Sequence, residues 1–329
     1  MGRRTALAVG LALLVAVPLI GGEGYFTHLA IVVLVFSILA SSLNLLIGYT
    51  GLVSIAHAAF FGIGAYASGV VVARYKVPVW LGFCAAVALA ALVAAALSLP
   101  SFRTRGIYYG IVTVAFQLIS SEVFDNWYRV TGGGLGLKGI PRPAAVFQSK
   151  VWYYYLTLAF VLAVHFAIVR LTQSSFGLAL MAIRDNETKA LMLGLRPLRY
   201  KAAVFVIAAG FAGLAGSLYA HYIEYAHPDF FNFAVSIDVF LMVVLGGAGT
   251  LYGPPVGVLV VEFLREVLHG FAALRLIIFG TMLVLIILFL PQGVVPASVA
   301  WARRLRIARP VSPAPDTTPE PRRSAGVPR

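Results

Sequence analysis

The sequence predicts an all-α fold, a polytopic membrane helix bundle of about ten transmembrane helices with broken, glycine-rich spans. Three observations carry this expectation. Of 329 residues, 60% are apolar and 11% charged, against about 25% charged in a soluble domain, so too little polar surface remains to cover a body in water. The apolar residues come in runs of about 20, the length that crosses a hydrocarbon core of about 30 Å at 1.5 Å per residue. Glycines interrupt two stretches that are otherwise apolar enough to span.

The runs fall near residues 5–22, 28–48, 52–73, 79–99, 106–124, 151–171, 202–222, 236–252, 254–270 and 275–291. Arg3-Arg4 before the first run also fits a signal peptide. No clear small-x-small cleavage site precedes Glu23, so 5–22 is read as a span. The second and third runs enclose Asn44, Gly48, Tyr49, Thr50, Gly51, Ser54, His57, Gly62, Gly64 and Gly69. Gly48 and Gly51 can unwind or turn the backbone, and Gly62, Gly64 and Gly69 permit close helix contact. Broken backbone at membrane depth is tolerated where it is buried or lines a cavity. Asn44, Tyr49, Thr50, Gly51, Ser54 and His57 are therefore candidates for a polar path; the plainer reading is tight packing with local hydrogen bonds, which for His57 alone is the stronger one.

The fourth run holds Cys84, the single cysteine, which excludes an intrachain disulfide and reads as packing. After the fifth, a loop from Asp125 to Lys150 contains Thr131-Gly132-Gly133-Gly134 and Gly136, either a backbone surface or a connector. After the sixth, residues 173–201 are too polar to span. Their first half reads as a short amphipathic helix with Leu178, Met181 and Ile183; Asp185 or Asn186 can cap a second helix that ends at Gly194, before Pro197. Two short helices of this kind suit either a grip for a soluble partner or a hairpin resting on headgroups. Gly246, Gly247, Gly249, Gly253 and Pro254-Pro255 break the eighth and ninth runs. Transporters pair such interruptions across structural repeats, with the site where they meet, so Gly246 and Gly247 join the candidate path. Past residue 302 the chain is basic and proline-rich and reads as a disordered tail. The expected division is an integral domain over 1–301 and a tail over 302–329.

The net charge is +13. The basic residues lie between and beside the apolar runs, where cations set orientation and meet anionic headgroups, so nucleic acid is not an expected partner. With ten spans both termini share one side. That side receives Arg3, Arg4, Arg103, Arg105, the six basic residues from Arg170 to Lys201 and the seven from Arg303 to Arg329, 17 in all, against eight on the other side. Basic loops stay in the cytoplasm, which places both termini and residues 173–201 there. The chain carries no P-loop sequence, no Cys or His cluster at metal spacing and no nucleophile elbow. No enzyme activity, cofactor or metal is expected. An ion-coupled secondary carrier remains a rival, since it needs membrane-buried ionisable groups, here His165, Asp238, Glu262 and Glu266. Glu262, Glu266 and Arg265 also read as a local ion-paired cluster.

The segments GYTGLVSIAHAAFFGIGAYASG, TGGGLGLKGIP, MAIRDNETKALMLGLRPLRYK and FLMVVLGGAGTLYGPPVG resemble, in order, the membrane permease subunits of branched-chain amino acid ATP-binding-cassette (ABC) importers. The resemblance covers most of residues 30–291. It implies a permease in the cell inner membrane that works by alternating access with ABC ATPase subunits, a second related permease and a substrate-binding protein outside. By position, Arg184, Asp185, Asn186, Glu187, Ala190 and Gly194 match the loop that docks into the ATPase, and the glycine-rich loop at 131–141 faces the binding protein. The family default substrate is leucine, isoleucine or valine, with urea, amides and other amino acids as alternatives.

Overall fold

The computed structural model describes residues 21–102 and 107–268, together with positions 12, 14–18, 280, 281, 284, 288 and 293–297. Most of the expected spans at 5–22 and 275–291, and the tail at 302–329, lie outside the described residues. Eleven α-helices are described continuously: α1 (Tyr25–Thr50), α2 (His57–Tyr75), α3 (Val79–Ser101), α4 (Ile107–Asn126), α5 (Tyr128–Thr131), α6 (Lys150–Gln173), α7 (Ser175–Asp185), α8 (Glu187–Met192), α9 (Pro197–Ile223), α10 (Phe233–Gly246) and α11 (Gly253–Val267). Short 3-10 turns lie at Gly133–Leu135, Ala145–Gln148 and Pro228–Phe231.

Six stretches are long and apolar enough to cross a membrane: Tyr25–Thr50, His57–Tyr75, Val79–Ser98, Lys150–Gln173, Pro197–Ile223 and Pro228–Gly246. The 20-residue α4 is outside this set, diluted by Gln117, Ser120, Ser121, Glu122, Asp125 and Asn126. Helix α11 has 15 residues, too short by itself for a core of about 30 Å.

α1 is buried along most of its length and forms the axis. α9 packs against α1, α2 and α3, and α10 and α11 pack on each other and on α1. Small residues set these approaches. A side chain on Gly64 would overlap the backbone of Gly213, and one on Gly216 the carbonyl of Phe61, so α2 and α9 touch backbone to backbone. Ala86, Ala90 and Ala94, spaced by four on one face of α3, are fully buried, and a side chain on Gly213 would meet Ala86 and Ala90. Phe60, Phe61, Phe205 and Phe231 fill the space between the helices.

Two expectations change. The third span begins at His57 rather than 52, because Gly51 adopts a left-handed φ of 70° and ends α1, leaving residues 51–56 without helical structure. The eighth stops at Gly246, where Gly247 has a φ of 111°. The all-α class holds, with one short addition: Leu137–Lys138 pairs antiparallel with Tyr225–Ala226. Gly136 and Gly139 flank the first strand with φ of 67° and 74°, and the pairing ties the glycine-rich loop to the end of α9.

Candidate functional site

The break at 51–56 is satisfied from both sides. A helix end leaves its last carbonyls and the next helix its first N–H groups without intrahelical partners, and inside a membrane these must be paired by protein. At the end of α1, Gly51 N–H and Leu52 N–H both return to the Leu46 carbonyl. The Gly48 carbonyl accepts from Arg184 Nη1 of α7 at 2.5 Å, a cation at a helix C-terminus, where the macrodipole favours it. On the α2 side, Ala58 N–H donates to Ser236 Oγ at 3.1 Å and Ala59 N–H to Gln117 Oε1 at 2.8 Å. Ile55 N–H donates to Thr113 Oγ1 at 3.2 Å. Gln117 is fully buried; its Oε1 also accepts from Ser236 Oγ at 2.9 Å, and its Nε2 donates to the Phe231 carbonyl at 2.8 Å.

The second interruption, residues 247–252 between α10 and α11, lies against the first. Asn44 accepts the Gly249 N–H at 2.8 Å and donates to the Thr250 carbonyl at 2.9 Å. A side chain on Gly48 would overlap the Gly249 backbone. Gly246 serves as close packing, since a side chain there would overlap the Gly253 carbonyl.

A cavity of about 1170 Å³ opens beside the first break, walled by Thr50, Gly51, Leu52 and Val53, by Tyr109, Gly110, Ile111 and Val114 of α4, and by the α7–α8 hairpin with Arg184, Asp185, Asn186 and Glu187. Tyr109 is buried at 3% exposure. Its hydroxyl and that of Ser54 approach each other without a well-formed hydrogen bond. Thr50 and Gly51 are the expected path residues on this wall.

The others lie apart from it. His57 is buried between α1 and α2, with Nε2 2.8 Å from Ser42 Oγ. Ser42 also donates to the Leu39 carbonyl, and His57 Nδ1 has no hydrogen-bond partner among the described residues. Tyr49 neighbours Thr172 of α6.

The hairpin has the expected form within narrower limits: α6 extends to Gln173 and α9 begins at Pro197, which puts Arg199 and Lys201 inside a helix. Asn186, rather than Asp185, caps α8, its side chain accepting from Lys189 N–H at 2.9 Å. Ala190 is buried. Gly194 turns the chain with a φ of 82°, and Glu187 pairs with Lys201 at 2.8 Å.

Two of the three carboxylates share one arginine, and the third bonds elsewhere. Arg265 contacts Asp238 at 2.6 Å and Glu262 at 3.1 Å, and Glu266 accepts from Tyr25 Oη at 2.5 Å. His165 packs against Tyr252. Thr113, Gln117, Ser236 and the Gly249-Thr250 backbone were not legible as partners of the break. Gln117 inside an apolar run was the one available signal.

Known proteins supply a frame for this geometry. The permease component family of branched-chain amino acid transport systems matches residues 25–287. The chain is 31% identical over 316 residues to the high-affinity branched-chain amino acid transport system permease protein LivM of Escherichia coli (strain K12), covering 87% of this chain and 73% of that protein. It is 25% identical over 222 residues to the probable branched-chain amino acid transport permease protein LivM of Methanocaldococcus jannaschii, covering 62% and 64%. It is 21% identical over 284 residues to the permease protein LivH of Escherichia coli (strain K12), covering 79% and 90%. No solved structure matches the chain. A match spanning residues 25–287, with LivM at this identity and coverage, places the chain in the family of branched-chain amino acid transport system permease components.

Proposed function

We propose that the chain is the membrane-spanning permease subunit of an ABC importer that carries leucine, isoleucine or valine into the cell by alternating access. The observation that carries the reading is the meeting of two broken spans at Asn44 and Gly48, beside a cavity rimmed by the α7–α8 hairpin. A path built from backbone, glycine and hydroxyl groups binds a small solute weakly, which suits a permease whose selectivity lies in a separate binding protein.

The chain works in a cell membrane with about ten spans and both termini in the cytoplasm. The hairpin at 174–196, within the 173–201 coupling region, docks an ABC ATPase through Asp185, Asn186, Glu187 and Gly194, while the buried Ala190 holds its shape. A second related permease completes the pathway, and the loop at 131–141 meets the external binding protein. ATP hydrolysis belongs to the partner. Thr50, Gly51 and Tyr109 line the inner part of the path; Asn44, Tyr49, Ser54, His57, Gly246 and Gly247 hold its shape.

The test is affinity purification of the tagged chain from its native membrane. Stoichiometric recovery of an ATPase and a second permease is expected, and the binding protein encoded with them should bind a branched-chain amino acid. Reproducible isolation of the chain alone would contradict the reading.

A further inference from the structure

Arg184 sits in the segment assigned to the ATPase, and its side chain, 41% exposed, reaches back to the end of α1. Nη1 donates to the Gly48 carbonyl across 136 positions of sequence, and a side chain on Gly51 would meet the aliphatic stem of Arg184. Nε lies 3.4 Å from Asp185 Oδ1, an ion pair on the exposed side of the same helix end. Gly48 lies one helical turn after Asn44, and Asn44 grips both the N–H of Gly249 and the carbonyl of Thr250. A side chain on Gly249 would also approach Arg184 Nη1. One guanidinium therefore stands where α7, the end of α1 and the 247–252 interruption converge.

We infer that Arg184 is a positioning residue that transmits movement of the α7–α8 hairpin to both broken spans, through the Gly48 carbonyl and Asn44, rather than a contact for the ATPase. The carbonyl it holds is one of those that the end of a helix leaves open, so α1 has no internal bond that competes for it. A displacement of α7 must carry the end of α1 with it or break this bond. Because Asn44 bonds the second break in two directions, residues 247–252 follow the end of α1. The inference rests on the proposed ABC permease role and adds to it a route inside this chain.

The experiment uses the assembled transporter in proteoliposomes, with its ATPase, second permease and binding protein. Uptake and ATP hydrolysis are measured for the wild type, Arg184→Gln and Arg184→Lys. Arg184→Gln is expected to assemble and hydrolyse ATP while uptake per ATP falls by about tenfold, the effect of losing one charged hydrogen bond. Arg184→Lys, which retains a charged donor, should recover part of the ratio. An unchanged ratio in Arg184→Gln overturns the inference. Should that variant fail to assemble, hydrogen exchange of the wild-type complex decides: ATP should change exchange at residues 48–52 and 247–252 together, and a change confined to 48–52 overturns the relay. Absence of any ATP-driven uptake by the wild type would instead contradict the functional reading.

Discussion

At the scale of single residues, Gln117 shows how a polar side chain stabilises a helix start inside an apolar environment. Its amide accepts from Ala59 N–H and Ser236 Oγ and donates to the Phe231 carbonyl, so it links α2, α4, α10 and the turn before α10. Gln117→Leu preserves volume and leaves the buried Phe231 carbonyl without this partner, at about 1–3 kcal/mol, while Ala59 N–H keeps its second acceptor, the Ala56 carbonyl at 3.1 Å. The expected outcome is a fall of several degrees in the unfolding midpoint of the detergent-solubilised protein, read by fluorescence-detected size exclusion. Gly134→Ala serves as the control, because its added methyl meets open space, and should leave the midpoint unchanged.

At the scale of elements, the N-terminus of α6 is anchored by a carboxylate from a distant part of the chain. Glu23 accepts from the Ser149 hydroxyl and from Lys150 N–H at 2.8 Å, a negative charge at the positive end of a helix. The Ser149 bond, followed by the Lys150 backbone bond, holds the Glu23 carboxyl below its ordinary value of 4.5. A depressed acid contributes stability above its unfolded pKa and loses it as pH falls through the folded one. Thermal stability of the wild type relative to Glu23→Gln should therefore be greatest near neutrality and shrink below about pH 4.5; a constant difference across that range would contradict the cap. Elements differed in how well the sequence disclosed them. The α7–α8 hairpin was legible because residues 173–201 are too polar to span and because Asn186, Gly194 and Pro197 mark a start, a stop and a restart. The unwound segment 51–56 was not legible in its extent: Leu52, Val53, Ile55 and Ala56 continue the apolar run, and only the left-handed Gly51 and the partners on α4, α7 and α10 separate it from a helix. The strand pair at Leu137–Lys138 and Tyr225–Ala226 is two residues long on each side, too short for period-two alternation to register.

At the scale of the whole molecule, sequence composition was enough for a helical membrane body, since a chain with 11% charged residues cannot cover itself in water. The candidate site was legible in part. Glycine and asparagine pointed to both breaks, and the joining of the breaks by Asn44 adds a contact 205 positions apart that spacing alone does not encode. The central claim is that this chain, in complex with an ATPase, moves a branched-chain amino acid inward. Uptake of radiolabelled leucine into proteoliposomes that hold the purified complex, supplied with the binding protein outside and ATP inside, tests it most directly. The account expects uptake that requires both ATP and the binding protein and that unlabelled isoleucine or valine suppresses. Uptake that proceeds without ATP on a proton or sodium gradient would contradict it.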